Sequence, residues 1–189
     1  QTDFLEKLRG ITEQSGSILI FDEVITGFRV DYGGAQKLYN IDPDITCLGK
    51  IIGGGFPVGA YGGKHAIMKM IAPQGSVYQA GTLSGNPIAM SAGLATLKIL
   101  NNNEVYSDLD KMGAYLNKIL IEKFAKNNID ITIPRCGSMF GLFFSSSIIN
   151  NWEDVQLSKL TSYREFHLKM LNNGIYLPPS PYESCFIST

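Results

Sequence analysis

Ser17-Ile18-Leu19-Ile20-Phe21 is a short unbroken apolar run, the pattern of a strand buried on both faces of a parallel sheet. Ahead of it, Phe4, Leu5, Leu8 and Ile11 recur at helical spacing and predict a helix over 1–14. Two further strands are expected over 44–48 and 58–63, the second followed by a short helix over 64–71 that Pro73 and Gly75 stop. Asn86-Pro87 supplies an N-cap and a first-turn proline for a long helix reaching about Leu100. Its stripe Leu94, Leu97, Leu100 is expected in the core. A second amphipathic helix follows over 104–126. Beyond it the period changes. Segments 129–135 and 139–145 read as paired strands, 161–173 as a helix ended by Asn173-Gly174, and 175–177 as a last strand. Asn150-Asn151 and Pro178-Pro179-Ser180-Pro181 read as loops. The pattern therefore predicts an α/β part over 1–103, a connecting helix over 104–127 and a smaller α+β part over 128–189.

Composition narrows the function classes. The 189 residues are 44% hydrophobic and 17% charged, which excludes a disordered chain. Sixteen Lys and Arg against seventeen Asp and Glu leave no bulk positive charge for nucleic acid. No apolar run has the length of a membrane helix. Cys47, Cys136 and Cys185 are odd in number and far apart. They match neither a zinc spacing nor a disulfide framework, and point to a reducing, cytoplasm-like compartment. The absence of an initiator Met, and an ending at Phe186-Ile187-Ser188-Thr189 with no cap or polar tail, read as part of a longer chain.

Three places carry candidate chemistry. Asp22-Glu23 stands at the C-terminal end of a predicted strand, the edge of an α/β sheet where ligands bind. An acid there is either a solvated strand end or a partner for a cationic cofactor. No histidine or further acid lies near enough in sequence to favour a metal. Lys50, in Leu48-Gly49-Lys50-Ile51-Ile52-Gly53-Gly54-Gly55, is either a surface lysine with its stem on apolar groups or an amine held for Schiff-base chemistry. The glycines allow close backbone approach, but the lysine precedes them and the phosphate-loop order is absent. Gly81-Thr82-Leu83-Ser84-Gly85-Asn86-Pro87 sets hydroxyls and N–H groups before a helix N-terminus, as an anion site or as ordinary capping. An acid for a pyridinium, an amine for an aldehyde and a cradle for a phosphate are together what pyridoxal phosphate asks of a protein. His65 and His167 read as surface residues on helices, without a role. Arg29 reads as a structural strand-end arginine or as one lying near a subunit interface.

Phe21-Asp22-Glu23-Val24-Ile25-Thr26-Gly27-Phe28-Arg29 resembles the aspartate motif of the class III pyridoxal-phosphate aminotransferases. Lys50-Ile51-Ile52-Gly53-Gly54-Gly55-Phe56-Pro57-Val58-Gly59-Ala60 resembles their Schiff-base lysine segment. Val77-Tyr78-Gln79-Ala80-Gly81-Thr82 through Pro87, with Gly137-Ser138-Met139-Phe140, is similar to the branch of that family acting on glutamate 1-semialdehyde. The resemblance runs end to end. It implies a fold-type I transferase, with part of the large mixed-sheet domain and most of the small α+β domain. It implies an amine moved within one substrate, yielding 5-aminolevulinate for tetrapyrrole synthesis, with an ω-aminotransferase using separate donor and acceptor as the alternative, and a non-catalytic protein keeping the fold as the more distant one. It implies pyridoxal 5′-phosphate or pyridoxamine 5′-phosphate, joined at Lys50, paired at Asp22, packed by Val24 and held at its phosphate by Gly81 and Thr82 of the neighbouring subunit in a homodimer. Glu183 and Tyr78 would face substrate. It also implies about twice this length for the whole protein, an inactive part-chain, and a cytoplasmic site of action, or the plastid stroma in a plant or alga.

Overall fold

The structure is a computed structural model describing residues 3–189. Two compact units divide it, Gln1–Asn103 and Glu104–Thr189.

The first unit opens with α1 (Phe4–Ser15), closed by Gly16 in the left-handed region, whose N–H caps the last carbonyls. Of the helix expected over 1–14, Gln1 and Thr2 lie outside the described residues. Strands β1 (Ile20–Asp22) and β2 (Ile45–Gly49) pair in parallel, Asp22 opposite Cys47. β3 (Gly59–Gly63) runs antiparallel on the other side of β2, giving the order β1-β2-β3. A short helix, α2 (Gly34–Leu38), and a 3-10 helix (Lys50–Gly53) fall in segments without helical periodicity. α3 (His65–Met68) is followed by α4 (Pro87–Leu100), where the Asn86 carbonyl oxygen accepts from Ile88 N at 3.0 Å and Ala89 N at 3.3 Å. That is the cap expected from Asn86-Pro87.

β1 is shorter than the apolar run that predicts it, because a side chain replaces the ladder at its start. Leu19 N–H donates to Asp44 Oδ2 at 2.7 Å, and Asp44 N–H donates back to the Leu19 carbonyl at 2.8 Å. Nor is the run buried on both faces. Ile20 is 54% exposed, and nothing among the described residues covers its face.

Asp44 also accepts from Lys64 Nζ at 2.7 Å and Arg9 at 2.9 Å, so one buried carboxylate stitches α1, both parallel strands and the end of β3. The Lys64 ammonium, the Leu19 N–H and the Arg9 guanidinium hold its pKa well below the usual carboxylate range. A carboxyl lowered in the fold contributes stability that is full above its unfolded pKa of about 4 and is lost as pH falls toward the folded value. Thermal melts of full-length Asp44→Asn should therefore lie several degrees below the parent at pH 7, with the gap narrowing toward pH 3. A gap constant with pH would contradict this.

The Leu94 expectation is corrected. Leu94 is 56% exposed, whereas the buried positions of α4 are Ala89 and Gly93. The helix meets the 3-10 helix backbone to backbone: a Cβ at Gly93 would overlap the Ile52 carbonyl, and one at Gly54 would lie 2.6 Å from the Ala92 carbonyl. Contact that close admits glycine and excludes leucine.

The second unit packs α5 (Asn103–Lys126) and α7 (Leu160–Asn172) around Ile133, Leu142, Phe144 and Tyr163. Phe124, Phe144 and Phe166 form a ring triangle with centroids 5.7 Å apart. Tyr163 donates to the Pro178 carbonyl at 2.7 Å, and burial pushes its pKa up to about 12. The expected long hairpin is cut short. Its ladder is β4 (Arg135–Cys136) with β5 (Met139–Phe140), plus a single bridge between Thr132 and Phe143. Pro134 lies between the two pairings and has no N–H to donate. α6 (Trp152–Gln156) starts directly after the expected Asn150-Asn151 loop, capped by Asn151. Residues 175–177 form no strand. Ile175 N–H is spent on the Met170 carbonyl, Pro178 follows, and β6 (Cys185–Phe186) takes the edge of β5 instead. His65 is exposed; His167 is half-buried, its Nε2 shielded and unpartnered among the described residues.

Candidate active site

Side chains alternate along extended backbone, so Asp22 at the end of β1 and Glu23 directly after it part company. Glu23 is 1% exposed. Its Oε2 accepts from Ala35 N at 2.6 Å and Thr26 Oγ1 at 2.8 Å, and its Oε1 from Gln36 N at 2.9 Å and Gln36 Nε2 at 3.2 Å. Asp22 is exposed, and its only hydrogen bond among the described residues is accepted from Val24 N at 3.1 Å.

Lys50 follows directly on β2, so β1 and β2 bring Asp22 and the lysine to the same edge of the sheet. Lys50 has φ +47°, a left-handed conformation that costs a side-chain-bearing residue on the order of 1–2 kcal/mol. The turn ends the strand's alternation there. Lys50 is exposed, and its amine makes no ion pair or hydrogen bond among the described residues. Val24 lies beside this turn: a Cβ on buried Gly49 would stand 3.3 Å from Val24 Cγ1. Asp22, Val24 and Lys50 thus lie at one edge of the sheet.

Gly81 and Thr82 sit in an exposed loop closed by Ser84 N donating to the Gly81 carbonyl at 3.0 Å. Gly81, Ser84 and Gly85 line a mostly apolar cavity of about 780 Å³ with Ile52, Val58 and Gly93. Asp22, Lys50 and Thr82 do not line it. Because Asn86 already satisfies two N–H groups of α4, an anion would meet the loop rather than the helix end. Tyr78 is 83% exposed and packs into no core. Glu183 belongs to the second unit, exposed at the rim of a cavity of about 460 Å³ lined by Arg135, Cys136, Phe140 and Asn150. Among the described residues no group of three or more His, Cys, Asp or Glu is arranged to hold a metal, and no helix is long and apolar enough to cross a membrane.

Sequence reasoning missed the buried network of Glu23, Gln36 and Thr46, the last accepting from Gln36 Nε2 at 3.3 Å. The signal was available: two consecutive acids on a strand must face opposite sides, and one side of a buried strand is dry.

The fold, with a parallel β1-β2 pair, an acid and a lysine at its C-terminal edge and an antiparallel β3 beyond, is that of the fold-type I transferases of pyridoxal phosphate. An ω-transaminase from Sphaerobacter thermophilus superposes over 100% of this chain with a TM-score of 0.87 and 33% identity, 43% of that structure being covered. The chain belongs to the class-III aminotransferases, whose sequence profile matches residues 1–187. It is 53% identical over its full length to glutamate-1-semialdehyde 2,1-aminomutase 2 of Exiguobacterium sibiricum, spanning 43% of that protein. It is 54% identical to glutamate-1-semialdehyde 2,1-aminomutase of Thermosipho africanus, over 98% of the chain and 44% of the relative. The chain thus spans less than half the length of these curated relatives.

Proposed function

We propose that the full-length protein is a homodimeric isomerase converting glutamate 1-semialdehyde to 5-aminolevulinate, with pyridoxal 5′-phosphate as cofactor. The observation that carries the reading is Asp22, with one carboxylate oxygen free, and the uncommitted amine of Lys50 at the ends of adjacent parallel strands. These residues fit the group. An acid with a free oxygen suits a ring nitrogen, an amine on a glycine-flanked turn suits an aldehyde, and the exposed hydroxyl loop suits a phosphate. When bound, the cofactor supplies an electron-withdrawing ring that eases proton loss beside an amine.

Asp22 holds a proton on the ring nitrogen through a charge-assisted hydrogen bond. Lys50 Nζ takes and returns the proton at the reacting carbon, acting as general base and then general acid. Val24 keeps the ring face dry. Gly81 and Thr82, in a loop with few bonds to its own chain, bind the phosphate in the partner subunit's site. Tyr78 and Glu183 orient the substrate. Residues 1–103 are the cofactor-bearing part of the large domain, 104–127 the connecting helix and 128–189 part of the small one.

Identity above one half to the aminomutases, against 33% to the ω-transaminase, favours amine transfer within one molecule. Full-length protein given glutamate 1-semialdehyde alone should form 5-aminolevulinate, measured by colorimetric assay. A strict need for an added amino donor and keto acceptor would reject the reading in favour of an ordinary ω-aminotransferase.

A further inference from the structure

Asp22 has one bond of its own, to a backbone N–H two residues on, so its direction is inherited from the chain around it. That chain is fixed by its neighbour. Glu23 N–H donates to the Cys47 carbonyl at 2.9 Å, and the Glu23 carbonyl accepts from Gly27 N at 2.8 Å. Its carboxylate gathers donors from the turn after β1 and from the start of α2. Gln36 Nε2 then spans from Glu23 Oε1 to Thr46 on β2, four residues before Lys50. All four partners are donors, so an acceptor-only carboxylate satisfies each of them, and an amide would set an N–H group against an N–H or O–H. The cavity is cut to fit: Gly34 has φ +69°, and a Cβ there would overlap Glu23 Oε2.

We propose that Glu23 is a positioning residue that sets Asp22 against Lys50, so that the buried acid governs the protonation state the exposed acid maintains. The inference rests on the proposed cofactor reading. A structural role alone would move stability; a positioning role also moves the acid–base behaviour of the site. A displacement of about 1 Å at a reacting centre costs on the order of 100-fold in rate.

The test uses full-length holoenzyme carrying Glu23→Gln, with the visible absorption band titrated against pH beside steady-state kinetics. The expected result is a pH midpoint displaced upward, because a less firmly protonated ring nitrogen repels a proton at Lys50 Nζ less. With it, kcat falls about 100-fold and KM stays within about threefold. Gln36→Met, which removes the side-chain link from Glu23 Oε1 to Thr46 and leaves the carboxylate its three other donors, should shift the midpoint in the same direction by less, and it decides the matter if Glu23→Gln yields no folded holoenzyme. A lowered melting temperature with the parent's midpoint and kcat would overturn the proposal and leave Glu23 as scaffold. Failure of the cofactor reading is separately visible by mass spectrometry after borohydride reduction, since the parent would then carry no covalently attached cofactor, or Lys50→Ala would carry as much of it as the parent.

Discussion

Lys50→Gly in the full-length protein is expected to abolish turnover while leaving the fold as stable as before or slightly more so. Lys50 holds φ +47°, and relieving that conformation is worth about 1–2 kcal/mol for a residue with a Cβ. Glycine's greater freedom in the unfolded chain takes back about 0.5–1 kcal/mol. The balance lies between zero and about 1.5 kcal/mol in favour of the variant. Loss of the proton-transfer amine should lower kcat by at least about 1000-fold. Lys50→Ala, which keeps the strained φ, should lose the same activity without the gain. A thermal melt and an assay on the same preparations check both halves. Retention of kcat within tenfold, or a large drop in melting temperature with glycine, would show that this position serves the fold rather than the chemistry.

The second expectation inverts a familiar helix rule. Alanine in place of glycine inside a helix normally stabilises by about 1 kcal/mol. Gly93→Ala should instead destabilise, because its Cβ overlaps the Ile52 carbonyl and a backbone atom cannot swing aside as a side chain can. Overpacking of this kind costs typically about 1–3 kcal/mol. The nearest relief is separation of α4 from the 3-10 helix, which begins at Lys50. The variant should therefore melt lower and bind cofactor more weakly, read by calorimetry and by the visible band in one sample. Melting at or above the parent temperature would contradict the packing described.

What could be read in advance depended on whether local chemistry or tertiary pairing decides. Asn86-Pro87 starts α4 and Asn173-Gly174 ends α7 because caps and breakers act within a few residues. The strand-end acid and the glycine-flanked lysine were legible for the same reason. β6 was not, since Cys185–Phe186 is a strand only by virtue of β5 beside it. Pro134 was visible, but its effect depends on which N–H the partner strand would have used. Within the stripe Leu94, Leu97, Leu100 the first misled, and the other two are half-buried, because periodicity marks an apolar face without saying how near the neighbouring backbone lies. Glu23 was hidden in plain view, paired with Asp22 as though two adjacent acids shared one environment.

That doublet bears on how the sequence can change over time. β1 is only three residues long, and Asp22 at its end is exposed while Glu23 just beyond it is buried. Deleting or inserting a single residue in this strand would exchange them. The carboxylate that four donors require would be turned to solvent, and the one kept free would be driven into a cavity shaped for a longer side chain. Substitutions along the strand are graded in their effects, but a change of length is all or nothing. In this short stretch the protein tolerates new letters far better than a shifted count.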